Sequence, residues 1–253
     1  MDPPVSVGRL CTALVDQLEQ SLRLRLQLGT RARPLGLATG RTMEPVYAAL
    51  VQRLLGWPEP ELAALRRSWS SFNLDEYLGL SPGDPRSYRA FMAERLGCPL
   101  NLPPTALHLP DGQAGEGAGA AAAYRAALRA EGGIGVQLLG LGSNGHVGFN
   151  EPPCTPEQAC RVVALSPATR QQNAGHFGGD PAAVPARAIT LGLEEILAAE
   201  DIHLVVTGQA KAGILGRLLA LKQPDPNLPA SWLLLHPRVR LWADAEALSL
   251  SLA

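Results

Sequence analysis

The densest chemistry in the sequence lies in Gly142-Ser143-Asn144-Gly145-His146-Val147-Gly148-Phe149-Asn150-Glu151-Pro152. The histidine is flanked by glycines and follows the apolar run Val136 to Leu141, which reads as a buried strand. A ligand can reach a side chain placed there, and histidine is the group most easily poised near neutral pH. Glu151 lies five residues further on, where a turn can bring it back to orient the ring. The other reading is a structural histidine that ties the loop together. Asp75 and Glu76 follow a second strand-like run, Ser70 to Leu74. Paired carboxylates at a strand end can supply a general base, or they can cap a helix or sit in a solvated turn.

Two further clusters suit an anion. Thr39-Gly40-Arg41-Thr42 stands between the short apolar run Leu35 to Ala38 and a helix that starts near Pro45. Glycine lets the backbone approach a ligand, and a helix start offers unpaired N–H groups with partial positive charge. The segment matches neither GxxxxGK[ST] nor GxGxxG, so a plain tight turn stays open. Lys211 follows Thr207-Gly208-Gln209-Ala210 at another helix start, either as a point charge for phosphate or as a solvated lysine. His236, between apolar runs, reads as structural. His108, His176 and His203 have no partners legible in the sequence.

The elements that must position these groups alternate. Val5 to Leu28 has apolar residues at helical spacing. Strands are expected at 35–38, 70–74, 136–141, 188–192 and 201–207, with later ones at 232–235 and 239–242. Helices are expected at 45–55, 87–96, 114–129, 193–198 and 210–221. Pro152 to Pro185 shows weak patterning and reads as a mobile cover. Alternation of this kind predicts an α/β fold: a modified doubly wound, Rossmann-like, mostly parallel sheet flanked by helices. Such sheets bind ligands beyond the carboxyl ends of their strands, where all four clusters fall. With no repeat and no convincing linker, residues 1–253 are expected to form one domain.

Composition narrows the partners. The chain has 253 residues, a net charge of −1 and no apolar run of membrane-spanning length. No global field draws it to nucleic acid or to an anionic membrane. The four cysteines lack CxxC spacing and nearby histidines, so no metal site is expected. Reduced thiols and the absence of a signal peptide suggest a cytoplasmic protein.

Taken in order, Leu35–Gly40, Phe72-Asn73-Leu74-Asp75-Glu76-Tyr77, Gly142–Pro152 and Val206–Ala212 resemble the glucosamine-6-phosphate deaminases over nearly the whole chain. Pro229-Ala230-Ser231 and His236-Pro237 also fit. The resemblance implies conversion of glucosamine 6-phosphate and water to fructose 6-phosphate and ammonia, with no metal or organic cofactor. It implies that His146, oriented by Glu151 and with Asn144 beside it, opens the pyranose ring. Asp75 would move a proton between carbons 2 and 1. Residues 39–42 and Lys211 would bind the phosphate, with Glu76 also at the substrate site.

Two departures stand out. Many members carry aspartate where this chain has Asn144, which makes the imidazolium less favoured here. Where the family usually has a phosphate-gripping arginine, Gly175 stands, followed by His176. Arg41 is the expected replacement and His176 the second candidate. Val163 replaces a lysine of the allosteric members, so no activation by N-acetylglucosamine 6-phosphate and a monomer or small homo-oligomer are expected. The rivals are a 6-phosphogluconolactonase, which would lack the Phe149-Asn150-Glu151-Pro152 ending, and a non-catalytic sugar-phosphate sensor, which would need a DNA-binding segment ahead of the first strand. A different amino-sugar phosphate as substrate also stays open.

Overall fold

The computed structural model describes residues 5–29 and 32–250. The strands are β1 (Leu35–Leu37), β2 (Ser71–Asn73), β3 (Asp75–Tyr77), β4 (Leu107–His108), β5 (Val136–Gly140), β6 (Arg161–Ala164), β7 (Arg187–Thr190), β8 (Asp201–Val206) and β9 (Val239–Ala243). The helices are α1 (Val7–Leu28), α2 (Glu44–Leu55), α3 (Glu59–Ser68), α4 (Tyr88–Met92), α5 (Cys98–Leu100), α6 (Ala118–Ala130), α7 (Pro167–Asn173), α8 (Leu193–Leu197) and α9 (Ala212–Ala220). A π-helical turn, Ala93–Gly97, joins α4 to α5.

Six strands form a wholly parallel sheet in the order β4-β2-β1-β5-β8-β9. Leu18 and Leu22 of α1 and Leu50 of α2 meet Leu35, Leu37, Val136 and Leu138 on one face. On the other face, Tyr124 of α6 packs against Phe72 at 5.5 Å between ring centroids. Helices therefore cover both faces, as parallel strands require. The chain runs outward from β1 in one direction and from β5 in the other. The switch point therefore lies between these two strands, and a ligand crevice is expected beyond their carboxyl ends.

α1 shows why the pattern folds this way. Leu10, Leu14, Val15, Leu18 and Leu22 recur at helical spacing and are all buried. Ser6 caps its start by accepting from the Arg9 N–H, and Gly29 closes its end at φ +60°.

Several expectations are corrected. Residues 75–77 are a strand, not a polar strand end: they leave the large sheet and enter an antiparallel sheet ordered β3-β7-β6. Pro152–Pro185 holds β6, α7 and two 3₁₀ turns, and Cys154 within it is fully buried. Its polar, glycine-rich composition hides these short elements. Pro229–Leu235 is a 3₁₀ helix instead of a strand. Pro229 has no N–H for a ladder, and the Trp232 indole donates to the Cys154 carbonyl at 2.8 Å. The helix expected at 87–96 is α4 continued by the π-helical turn. α3 and β4 were not anticipated; α3 offers only Leu62 and Leu65 as buried residues, and β4 is two residues long.

Candidate active site

A cavity of about 240 Å³ opens at the switch point. Ala38 to Thr42, after β1, form one wall, and Gly140 to Gly142 with His146, Gly148 and Phe149, after β5, form the next. Leu74, Asp75 and Tyr77 come from β3 and its approach, while Pro85 to Tyr88 and Phe91 come from the start of α4. Gln172, Asn173 and His176 close the side made by the 152–185 segment, and Lys211 enters from beyond β8.

Asp75 faces this space with no hydrogen bond to its carboxyl among the described residues. Its side chain is buried, so ionisation is costly. Burial first, and then the negative charge of Glu76, push its pKa from the usual carboxylate range to about 8. Room for it is made by Gly148, which sits at φ +57°. A Cβ at that position would stand 3.0 Å from Thr190 Oγ1 and 3.4 Å from the Asp75 carboxyl.

His146 is held by its neighbour Asn144. The amide oxygen of Asn144 lies 2.6 Å from Nδ1, so Nδ1 carries the proton and donates. Nε2 is left as an acceptor, and it has no partner among the described residues. Burial pulls the imidazole pKa down to about 4; the Glu151 charge opposes this and Lys211 adds to it. The ring is therefore neutral at physiological pH. It lies flat over Gly142, where a Cβ would sit 2.3 Å from ring atoms.

Glu151 does not bond to the ring as expected. Its carboxylate accepts from the Ser166 N–H at 3.1 Å, at the start of α7, and acts on the imidazole through charge alone. At the other end of α7, Gln172 Oε1 accepts from the Ser143 N–H at 3.1 Å. The loop that bears His146 thus holds both ends of the helix.

Glu76 is a second correction, because it points away from the cavity. Its carboxylate accepts from the N–H groups of Tyr77, Tyr88 and Arg89 at 2.8–3.0 Å and so caps α4. Successive strand residues face opposite sides, so the two adjacent acids cannot share one pocket.

At the far end, Arg41 and Lys211 are close enough that Arg41, after burial, helps lower the Lys211 pKa. Two neighbouring cations beside the Gly40 turn favour an anion. His176 lines the cavity; Gly175 does not. Arg86, Tyr88, Gln172 and Asn173 also line it, although nothing in the sequence singles them out. The one available signal is the polar pair Gln172-Asn173 at the end of α7, both of which line the cavity. His236 is structural, with Nε2 donating to the Ala199 carbonyl at 2.8 Å. Among the described residues, no three His, Cys, Asp or Glu side chains converge as a metal site would need.

The model of the glucosamine-6-phosphate isomerase/6-phosphogluconolactonase family matches residues 6–242. This chain belongs to that family. Within the family, it is 43% identical over 220 residues to a glucosamine-6-phosphate deaminase of Rhodopirellula baltica, covering 85% of this chain and 83% of that protein. A solved structure described as a monomeric glucosamine-6-phosphate deaminase superposes with a TM-score of 0.81 at 32% identity, over 97% of each chain. A 6-phosphogluconolactonase from Trypanosoma cruzi superposes at 0.72 with 20% identity, over 96% of this chain and 92% of that one, which speaks for the fold alone.

Proposed function

We propose that the chain is a glucosamine-6-phosphate deaminase, releasing ammonia and fructose 6-phosphate from glucosamine 6-phosphate and water. The observation that carries this reading is the pairing of an unpartnered buried carboxyl, Asp75, with the neutral imidazole of His146 in one cavity whose far end holds Arg41 and Lys211. The relatives' names support the same chemistry.

Each group has one task. The Nε2 lone pair of His146 takes the anomeric hydroxyl proton and delivers it to the ring oxygen, and the pyranose opens to an aldehyde. Ionised Asp75 takes the proton from carbon 2 and returns it to carbon 1. As this happens, one amino proton passes to the carbon 1 oxygen, which becomes a hydroxyl, and the nitrogen-bearing carbon 2 becomes an imine; water adds to it, the carbonyl forms, and ammonia leaves. The phosphate, seated on residues 39–42, Arg41 and Lys211, fixes carbons 1 and 2 against Asp75. His176, on the cavity wall, is the second candidate for a phosphate contact. Asn144 sets the imidazole tautomer, and Glu151 supports the ring electrostatically. Glu76 has no place in substrate binding.

No helix among the described residues is long and apolar enough to cross a membrane. We further propose a cytoplasmic enzyme, a monomer or small oligomer, acting as one catalytic domain over residues 1–253, with 152–185 as its cover. The reading is tested by assaying ammonia release from glucosamine 6-phosphate beside hydrolysis of 6-phosphogluconolactone. Ammonia from the wild type but not from Asp75→Asn is expected. Lactone hydrolysis without ammonia would refute it.

A further inference from the structure

We propose that Arg86 is a further substrate-binding residue, donating to the phosphoryl group of the sugar phosphate together with Arg41 and Lys211. The substrate class rests on the deaminase reading; the residue rests on geometry. Arg86 lies on the cavity wall with Pro85, Ser87 and Tyr88. The Tyr88 hydroxyl stands beside Thr39, so this corner adjoins the turn that faces the phosphate.

The guanidinium is held in place before any ligand arrives. Its Nε donates to Asp84 Oδ1 at 2.9 Å and its Nη2 to Asp84 Oδ2 at 2.6 Å. Its Cζ lies 5.4 Å from the centroid of the Phe177 ring. Phe177 is itself buried and set edge-on against Tyr77 at 5.5 Å. Nη1 has no acceptor among the described residues. An arginine fixed in this way has already lost most of its rotamer freedom, so a ligand that meets Nη1 is spared that ordering cost.

The 3₁₀ turn Ala174–Phe177 presents the Phe177 ring to the loop that bears Arg86. The turn therefore carries the ring, and a guanidinium from the facing loop rests on it. Because Asp84 balances its charge, Arg86 acts by the directed hydrogen bonds of a planar fork, while Arg41 and Lys211 supply the positive potential. The plain alternative is a surface ion pair of little consequence.

The test is calorimetric titration of inorganic phosphate into the full-length protein and its Arg86→Gln and Arg86→Lys variants at one ionic strength. Arg86→Gln is expected to weaken phosphate binding about tenfold, the worth of one charge-assisted hydrogen bond. Arg86→Lys is expected to stay weakened, because an ammonium lacks the fork. The kcat/KM for glucosamine 6-phosphate is expected to fall by a similar factor. With 44% of the Arg86 side chain exposed, both variants are expected to fold, which matched thermal midpoints will check. Arg86→Gln binding phosphate within about threefold of wild type would overturn the proposal. A wild type that binds phosphate but releases no ammonia would instead sink the deaminase reading, leaving Arg86 to be decided by the titration.

Discussion

Asn144 grips His146 twice: its side-chain oxygen meets the imidazole Nδ1 at 2.6 Å and the His146 backbone N–H at 3.3 Å. A neutral amide fixes the tautomer without adding charge, while burial holds the pKa near 4. Placing a carboxylate there favours the imidazolium. Asn144→Asp should therefore raise the His146 pKa by at least about one pH unit, as read by NMR titration of the ring. An unchanged or lower value would contradict this account of the ring's environment.

Asp75 predicts an alkaline limb. Only its ionised form can take the carbon 2 proton, and burial holds its pKa near 8. The kcat/KM of the free enzyme should rise as pH climbs through about 8. A profile already flat from pH 6 upward would remove Asp75 as the base or place it in a wetter setting.

The same group links stability to pH. Its folded pKa is raised, so the native state binds the proton more tightly than the unfolded chain does. Its contribution is fully present below the unfolded carboxylate pKa and is lost as pH rises toward about 8. Asp75→Asn removes that loss. The variant should melt higher than wild type at pH 9, by roughly 2–4 °C for each kcal/mol recovered, and the advantage should shrink toward pH 4. Equal melting differences at both values would count against a buried, unpaired carboxyl.

Gly142→Ala tests the packing of the imidazole. The new methyl group would overlap ring atoms, so the ring must shift by an ångström or more. The kcat should fall on the order of a hundredfold. Full activity would mean that the ring needs no fixed seat.

Arg41→Ala tests the replacement cation. Loss of one partner of the Arg41–Lys211 pair should raise KM for the sugar phosphate about tenfold. An unchanged apparent affinity would eliminate Arg41 from phosphate binding.

The parallel core was legible because β1, β5 and β8 are predominantly apolar, with only Gln137, Asp201 and His203 polar among them, and end in polar, glycine-bearing segments. Those ends do converge on one cavity. What stayed hidden depended on local direction. Asn144 reaches the ring through a two-residue turn, whereas Glu151, the more obvious acid, is diverted to the Ser166 N–H. Asp75 and Glu76 looked like a pair until the strand they occupy turned them to opposite sides. Arg86, Gln172 and Asn173 reach the cavity from distant elements, and no spacing along the chain records that meeting.

The small sheet has a mechanical implication. Arg161 of β6 and Asp75 of β3 both pair with Thr190 of β7, so the strand inside the covering segment and the strand bearing the base share one central rung. A cover hinged at residue 152 would have to pull that ladder apart. The pairing persists as far as Leu165, whose N–H donates to the Ala186 carbonyl at 2.9 Å, so loop grafts or cross-links meant to retune access have residues 166–185 as their workable territory.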